Sequence, residues 1–183
     1  MDHTLDTTGG DRLLLRRIRL GTGAFLLALV ASGATALPIR TEFDLGARFL
    51  GKDFRGGGAV PEPVAEWFAE VHRGLSSQAG LLAYGTDWLA FGHFAIALAF
   101  VGALRDPVRN RWLFQFGLVV CALVFPWALG FGALRGIPWW WRAVDCSFGL
   151  FGSLPLWACH TWVTRLEKSG SANASRRNPK IGP

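Results

Sequence analysis

Five residues of this 183-residue chain combine charge or proton-binding capacity with positions at or just inside the edges of long uncharged stretches: Asp87, His93, Arg135, Arg142 and Asp145. Ionisable groups at membrane depth are costly and turn towards a bundle interior or a cavity, so each is a candidate for function. Asp87 and Asp145 each precede an uncharged run, Arg135 closes one, and Arg142 stands three residues before Asp145. His93 follows Asp87 by six residues, roughly 9 Å along a helix. Gathered at one depth, these side chains would form an outward-opening Asp/His/Arg pocket for a polar envelope or lipid-linked ligand. The competing expectation is structural. An Asp at a helix start is a favoured N-cap and an Asp–Arg pair staples neighbouring helices, which would suit an accessory subunit of a membrane complex.

Other chemistries fare worse. Two intramembrane histidines can ligate haem, but His160 lies 15 residues beyond Asp145, about 22 Å on, whereas His93 sits near the opposite face. His72 falls in a loop and His3 in the N-terminal tail. Asp87, His93, Asp145 and Cys146 have no spacing diagnostic of a metal site. Ser153 and His160 are seven residues apart, roughly 10 Å and too far for a nucleophile and its base. Cys121, Cys146 and Cys159 fall at three different depths, so no disulfide is expected. No catalytic residue, metal or cofactor is assigned, and an enzyme is not expected.

The elements that must position these residues follow from composition. Apolar residues make up 51% of the chain and charged residues 17%, with mean hydropathy +0.29. Four uncharged runs stand out: residues 20–39, 88–104, 112–134 and 146–164. The first, of 20 residues, spans roughly 30 Å as a helix, one hydrocarbon thickness. A lipid-embedded backbone must satisfy its own polar groups, so each run is expected to be a helix. Arg16, Arg17 and Arg19 ahead of the first run, and Ala34-Thr35-Ala36 near its end, also suit a cleaved signal, but the run exceeds a signal core and a retained anchor is the better reading.

Basic residues set the expected orientation. Four of the 19 precede the first run, three lie in the second connection and five follow the fourth run, against five and two in the remaining loops. The positive-inside rule then places both termini in the cytoplasm and residues 40–87 outside. The net charge of +6 is accounted for by topology, and no basic-aromatic module points to nucleic acid. Within the tails 1–19 and 167–183, residues 1–11 and 169–183 lack apolar periodicity and are expected to be mobile, with Arg176, Arg177 and Lys180 solvated.

In the external loop, Gly56-Gly57-Gly58, Pro61 and Pro63 break the chain, after which Val64, Trp67, Phe68, Val71 and Leu75 recur at helical spacing. A short amphipathic helix is expected there, lying on the outer leaflet or capping the bundle. The short connections at residues 105–111 and 135–142 make the second, third and fourth runs antiparallel neighbours. Most of Trp139, Trp140 and Trp141 are expected in the interfacial belt. Small residues Ala24, Ala28, Ala31 and Thr35 in the first run, and Gly149, Gly152 and Ser153 in the fourth, are the expected packing faces. Pro126 and Pro155 interrupt the third and fourth runs.

Pro38, Asp87 with His93, and Arg142-Ala143-Val144-Asp145 followed by Gly149 and Gly152 together resemble the VanZ-like family of small four-span bacterial membrane proteins. The chain departs from that pattern at Trp88, where a Lys would stand, at the displaced His93, at Gly149 in place of an Asn, and in the lack of a Glu beside Gln115. The resemblance implies a plasma (inner) membrane location and a link to the cell envelope or glycopeptide tolerance. The expectation is an all-α integral membrane four-helix bundle, residues 20–166, with a short external amphipathic helix and mobile termini. Its expected partners are the lipid bilayer and a membrane-protein partner or a second copy of the chain.

Overall fold

The computed structural model describes residues 9–177. Residues 1–8 and 178–183 lie outside the described residues, and with them His3, Lys180 and the outer parts of both tails. The described chain is helical, with no strand: α1 (Gly9–Ala36), α2 (Ile39–Leu50), a 3₁₀ turn (Gly56–Gly58), α3 (Glu62–Ser77), α4 (Ala79–Arg105), α5 (Arg111–Pro126), a π-helical turn (Trp127–Phe131), α6 (Gly132–Leu134) and α7 (Trp139–Arg177).

Two helical stretches, Gly80–Arg105 and Arg111–Leu134, are long and apolar enough to cross a membrane. A third is added if α1 and α2, bent by 71°, are counted as one element. Two or three of the four expected crossings thus stand as candidate spans. The run 146–164 lies wholly inside α7, but Gly149, Gly152, Ser153, Pro155 and His160 dilute its apolar character.

Helix ends depart from the charge boundaries for local reasons. The first run does not stay helical to Ile39, because Pro38 lacks an N–H and disfavours helical geometry at Leu37. α2 then starts afresh, with the Glu42 N–H donating to the Pro38 carbonyl at 3.0 Å. α4 begins at Ala79 and α7 at Trp139, so neither Asp87 nor Asp145 stands at a helix start as expected. A charge ends an apolar run without ending a helix, and Leu81, Leu82 and Ala83 extend α4 on the N-terminal side of Asp87. α7 likewise continues past Thr164 to Arg177.

The chain divides into two units, one comprising residues up to Leu27 and from Leu98 onward, the other Ala28–Ala97. In the first, α1 runs antiparallel to α7: Ser169 donates to the Asp11 carboxylate at 3.0 Å, and Thr22 contacts Cys159 at 3.8 Å. α5 is also antiparallel to α7, with Gly117 against Leu156 and Gly149 against the Cys121 carbonyl. Phe100 from α4 meets both Phe25 and Phe114. Ile18, Thr22, Phe100, Phe114, Leu156, Cys159 and Val163 form the buried centre. The close approach at Gly149 and Gly152 agrees with expectation, but the small face of α1 does not: Ala24, Ala28, Ala31 and Thr35 are exposed, while Ile18 and Thr22 turn inward. Both stripes have helical spacing, and in a uniformly apolar helix hydropathy offers nothing to choose between them.

The hairpin between α5 and α7 is closed by a Schellman motif. The Ile137 N–H reaches the Gly132 carbonyl at 2.9 Å and the Gly136 N–H reaches Ala133 at 3.1 Å, with Gly136 at φ +69° where a side chain would be strained. Pro126 precedes the π-helical turn, whereas α7 passes through Pro155 unbroken. A proline removes one intrahelical bond, and widening to a π turn is one way the ladder accommodates the loss.

In the second unit α2 and α3 form a hairpin around Phe43, Phe54 and Phe68, whose rings lie 5.7–6.2 Å apart. His72 and Asp44 join the two helices at 2.9 Å. α3 covers the expected amphipathic segment, burying Ala65 and Leu75. α2 lies in a stretch expected to be broken; Ile39, Phe43, Ala47 and Leu50 at spacings of four, four and three were its signal.

Candidate functional site

The five residues singled out by sequence occupy three kinds of environment. Asp87 is exposed on α4, eight residues beyond its start. His93, also on α4, is half-buried; its Nδ1–H donates to the Leu89 carbonyl at 2.8 Å, since a carbonyl only accepts. The backbone of Gly33 in α1 packs against the His93 β-carbon, where an added Cβ would come within 2.9 Å. Both residues belong to the unit Ala28–Ala97, and Arg135, Arg142 and Asp145 to the other.

Arg135 is exposed at the end of the α5–α6 segment. Arg142, one turn before Asp145 on α7, lays its aliphatic stem across Gly132, where a Cβ would meet its Cδ at 2.8 Å. Its Nη1 donates to the Leu129 carbonyl in the π turn at 3.4 Å, and its buried Nε has no partner among the described residues. Asp145 lies on the wall of a cavity of about 320 Å³ lined otherwise by Val120, Leu123, Val124, Trp127 and Ala128. No ion pair joins Asp145 to Arg135 or Arg142 among the described residues, so the expected Asp–Arg staple is not formed there.

The arrangement is thus an apolar groove along α5 and its π turn with one carboxylate on the α7 side and a guanidinium one helical turn away. Chemically it can hold a hydrocarbon against the wall and hydrogen-bond a polar head at the carboxylate.

No family model, curated protein or solved structure matches the chain. The VanZ-like resemblance accordingly rests on the residues quoted for it alone.

A second polar cluster, which sequence reasoning did not assemble, lies at the other end of the α5–α7 pair. Arg111 donates through Nη1 to Glu167 Oε2 at 2.8 Å and through Nε to His160 Nε2 at 3.4 Å, and the Gln115 amide approaches the same nitrogen at 3.4 Å. Arginine only donates, so Nε2 of His160 holds a lone pair in this arrangement and the ring proton resides on Nδ1. Arg111 precedes the third apolar run and Glu167 lies just past the end of the fourth, so in an antiparallel pair the two fall at the same end, which is the signal the sequence offers. Among the described residues no group of three or more His, Cys, Asp or Glu side chains is placed to hold a metal ion.

Proposed function

We propose that this chain is a plasma-membrane protein of four crossings that holds a lipid-linked polar ligand in the α5–α7 groove, with Asp145 and Arg142 meeting the ligand's head. The observation that carries this reading is the Asp145 carboxylate on the wall of an otherwise apolar cavity of about 320 Å³. A carboxylate against such a wall gives up hydration without a protein donor in return, and a ligand bearing hydroxyl or amine donors would supply what the wall lacks. Arg142, one turn away on α7, gives its Nη1 to the Leu129 carbonyl and keeps Nε buried, and in this reading it contributes positive charge beside the head. The fourth crossing in this reading is the run 146–164 of α7.

The basic residues support an outward-facing groove. Arg16, Arg111, Arg165 and Lys168 lie towards the end of the unit opposite Asp145, and positive charge favours the cytoplasmic side. The resemblance to VanZ-like proteins supports an envelope-linked ligand. The reading needs only Arg142 and Asp145 of the five sequence candidates.

Native mass spectrometry after purification in a mild detergent tests it. The wild-type chain is expected to retain a co-purifying lipid-linked mass that Asp145→Asn, a near-isosteric change, loses without loss of helicity. Retention of that mass by both Asp145→Asn and Arg142→Gln overturns the reading. A stoichiometric protein retained in place of a lipid, and lost in the same variants, assigns the groove to a partner's helix and the chain to an accessory role.

A further inference from the structure

We infer that the N-terminal half of α1 carries a second, separate site, for the phosphate of an anionic phospholipid. Arg12, Arg16 and Arg19 recur at i, i+4 and i+7 and therefore share one face of α1. With Leu15 and Leu20 they line a cavity of about 380 Å³. Arg16 and Arg19, three residues apart on that face, repel one another along the helix, and an anion seated between them would relieve the repulsion. Arg16 and Arg19 make no hydrogen bond or ion pair with any described residue, which leaves their guanidiniums available to a ligand. Planar guanidinium forks match phosphate oxygens in geometry as well as charge.

The continuation of the same face selects the carrier of that phosphate. Beyond Arg16 the stripe runs through Leu20, Ala24 and Leu27, all exposed, with Leu20 at 64% and Leu27 at 73%. Arg19 is the last charge before the uncharged run, so the cavity straddles the boundary between charged and apolar surface. A diester phosphate on the arginines would leave its acyl chain along that strip, an arrangement a free phosphate ion cannot exploit.

The test uses the full-length chain in neutral detergent micelles, titrated with phosphatidylglycerol and, separately, with phosphatidylcholine, with bound lipid counted by native mass spectrometry. Phosphatidylglycerol is expected to bind at least tenfold more tightly than phosphatidylcholine, and the preference is expected to vanish in Arg16→Gln/Arg19→Gln while persisting in Lys52→Gln. Helicity by circular dichroism checks that the double variant is folded. Equal binding of the two lipids by the wild-type chain overturns the inference whatever the variants do, as does a preference that survives the double substitution in a folded protein. Displacement of phosphatidylglycerol by millimolar inorganic phosphate at these arginines would overturn the assignment to a lipid and leave a free-phosphate site in its place. Asp145 and its groove lie elsewhere in the unit, so loss of the lipid-linked mass there and loss of headgroup preference here are separate readouts.

Discussion

Arg111, the first residue of α5, donates to the Glu167 carboxylate of α7 across 2.8 Å, closing two antiparallel helices at the end away from Asp145. Both side chains are about two-thirds buried, at 36% and 30% exposure, so the pair is better shielded than a surface ion pair. Arg111 also donates to His160, which makes it the hub of the cluster.

Removing either partner should therefore cost more than at an exposed pair. Arg111→Met or Glu167→Gln is expected to lower stability by roughly 1–2 kcal/mol, since charged hydrogen bonds contribute somewhat more than neutral ones. A double-mutant cycle read by reversible detergent or urea unfolding checks the coupling. Strict additivity would show that the two side chains do not stabilise one another.

Gly149 faces the Cys121 backbone carbonyl so closely that an added Cβ would lie 2.6 Å from it, and a backbone atom of a packed helix cannot yield as a side-chain tip can. Gly149→Ala is expected to destabilise by about 1–3 kcal/mol. Gly23→Ala, with nothing within 4 Å, is expected to be neutral or to stabilise by up to about 1 kcal/mol through helix propensity. Thermal unfolding of the two variants side by side gives the comparison, and similar midpoints would contradict the α5–α7 contact.

The three thiols differ in access: Cys121 and Cys159 are buried and Cys146 is half-buried. A maleimide is expected to modify Cys146 well before the other two in the folded protein, with all three reacting after unfolding. In intact cells a membrane-impermeant maleimide should reach Cys146, the neighbour of Asp145, from outside. Labelling only after the membrane is breached would place the α5–α7 groove on the cytoplasmic side and contradict its proposed orientation.

The helical class, the amphipathic helix now seen as α3 and the tight connection between α5 and α7 were legible in the chain because each depends on neighbours close in sequence. The spacing of Val64, Trp67, Phe68, Val71 and Leu75 is sufficient for α3, and Gly136-Ile137-Pro138 for the hairpin. Helix ends are not legible in charge alone, as α4 and α7 show by running on past Asp87 and Asp145, since a charge changes where a helix is comfortable without breaking its hydrogen bonds. α2 is obscured in the sequence because its short periodic stretch is flanked by Pro38, Gly51 and Gly56-Gly57-Gly58, which signal a break.

What the amino-acid order determined alone is a strongly helical, apolar chain with its basic residues unevenly distributed, because composition and periodicity act through local hydrogen bonding and solvent transfer. Tertiary structure alone decided which polar groups meet. It set Arg111 against Glu167 and His160, left Asp145 on an apolar wall without an arginine, and turned Ile18 and Thr22 inward in place of the alanine stripe. The physical reason is rotation and register. A uniformly apolar helix can present any face to its neighbour, and the steric fit at positions such as Gly149 and Gly117 selects the one that fixes every longer-range contact.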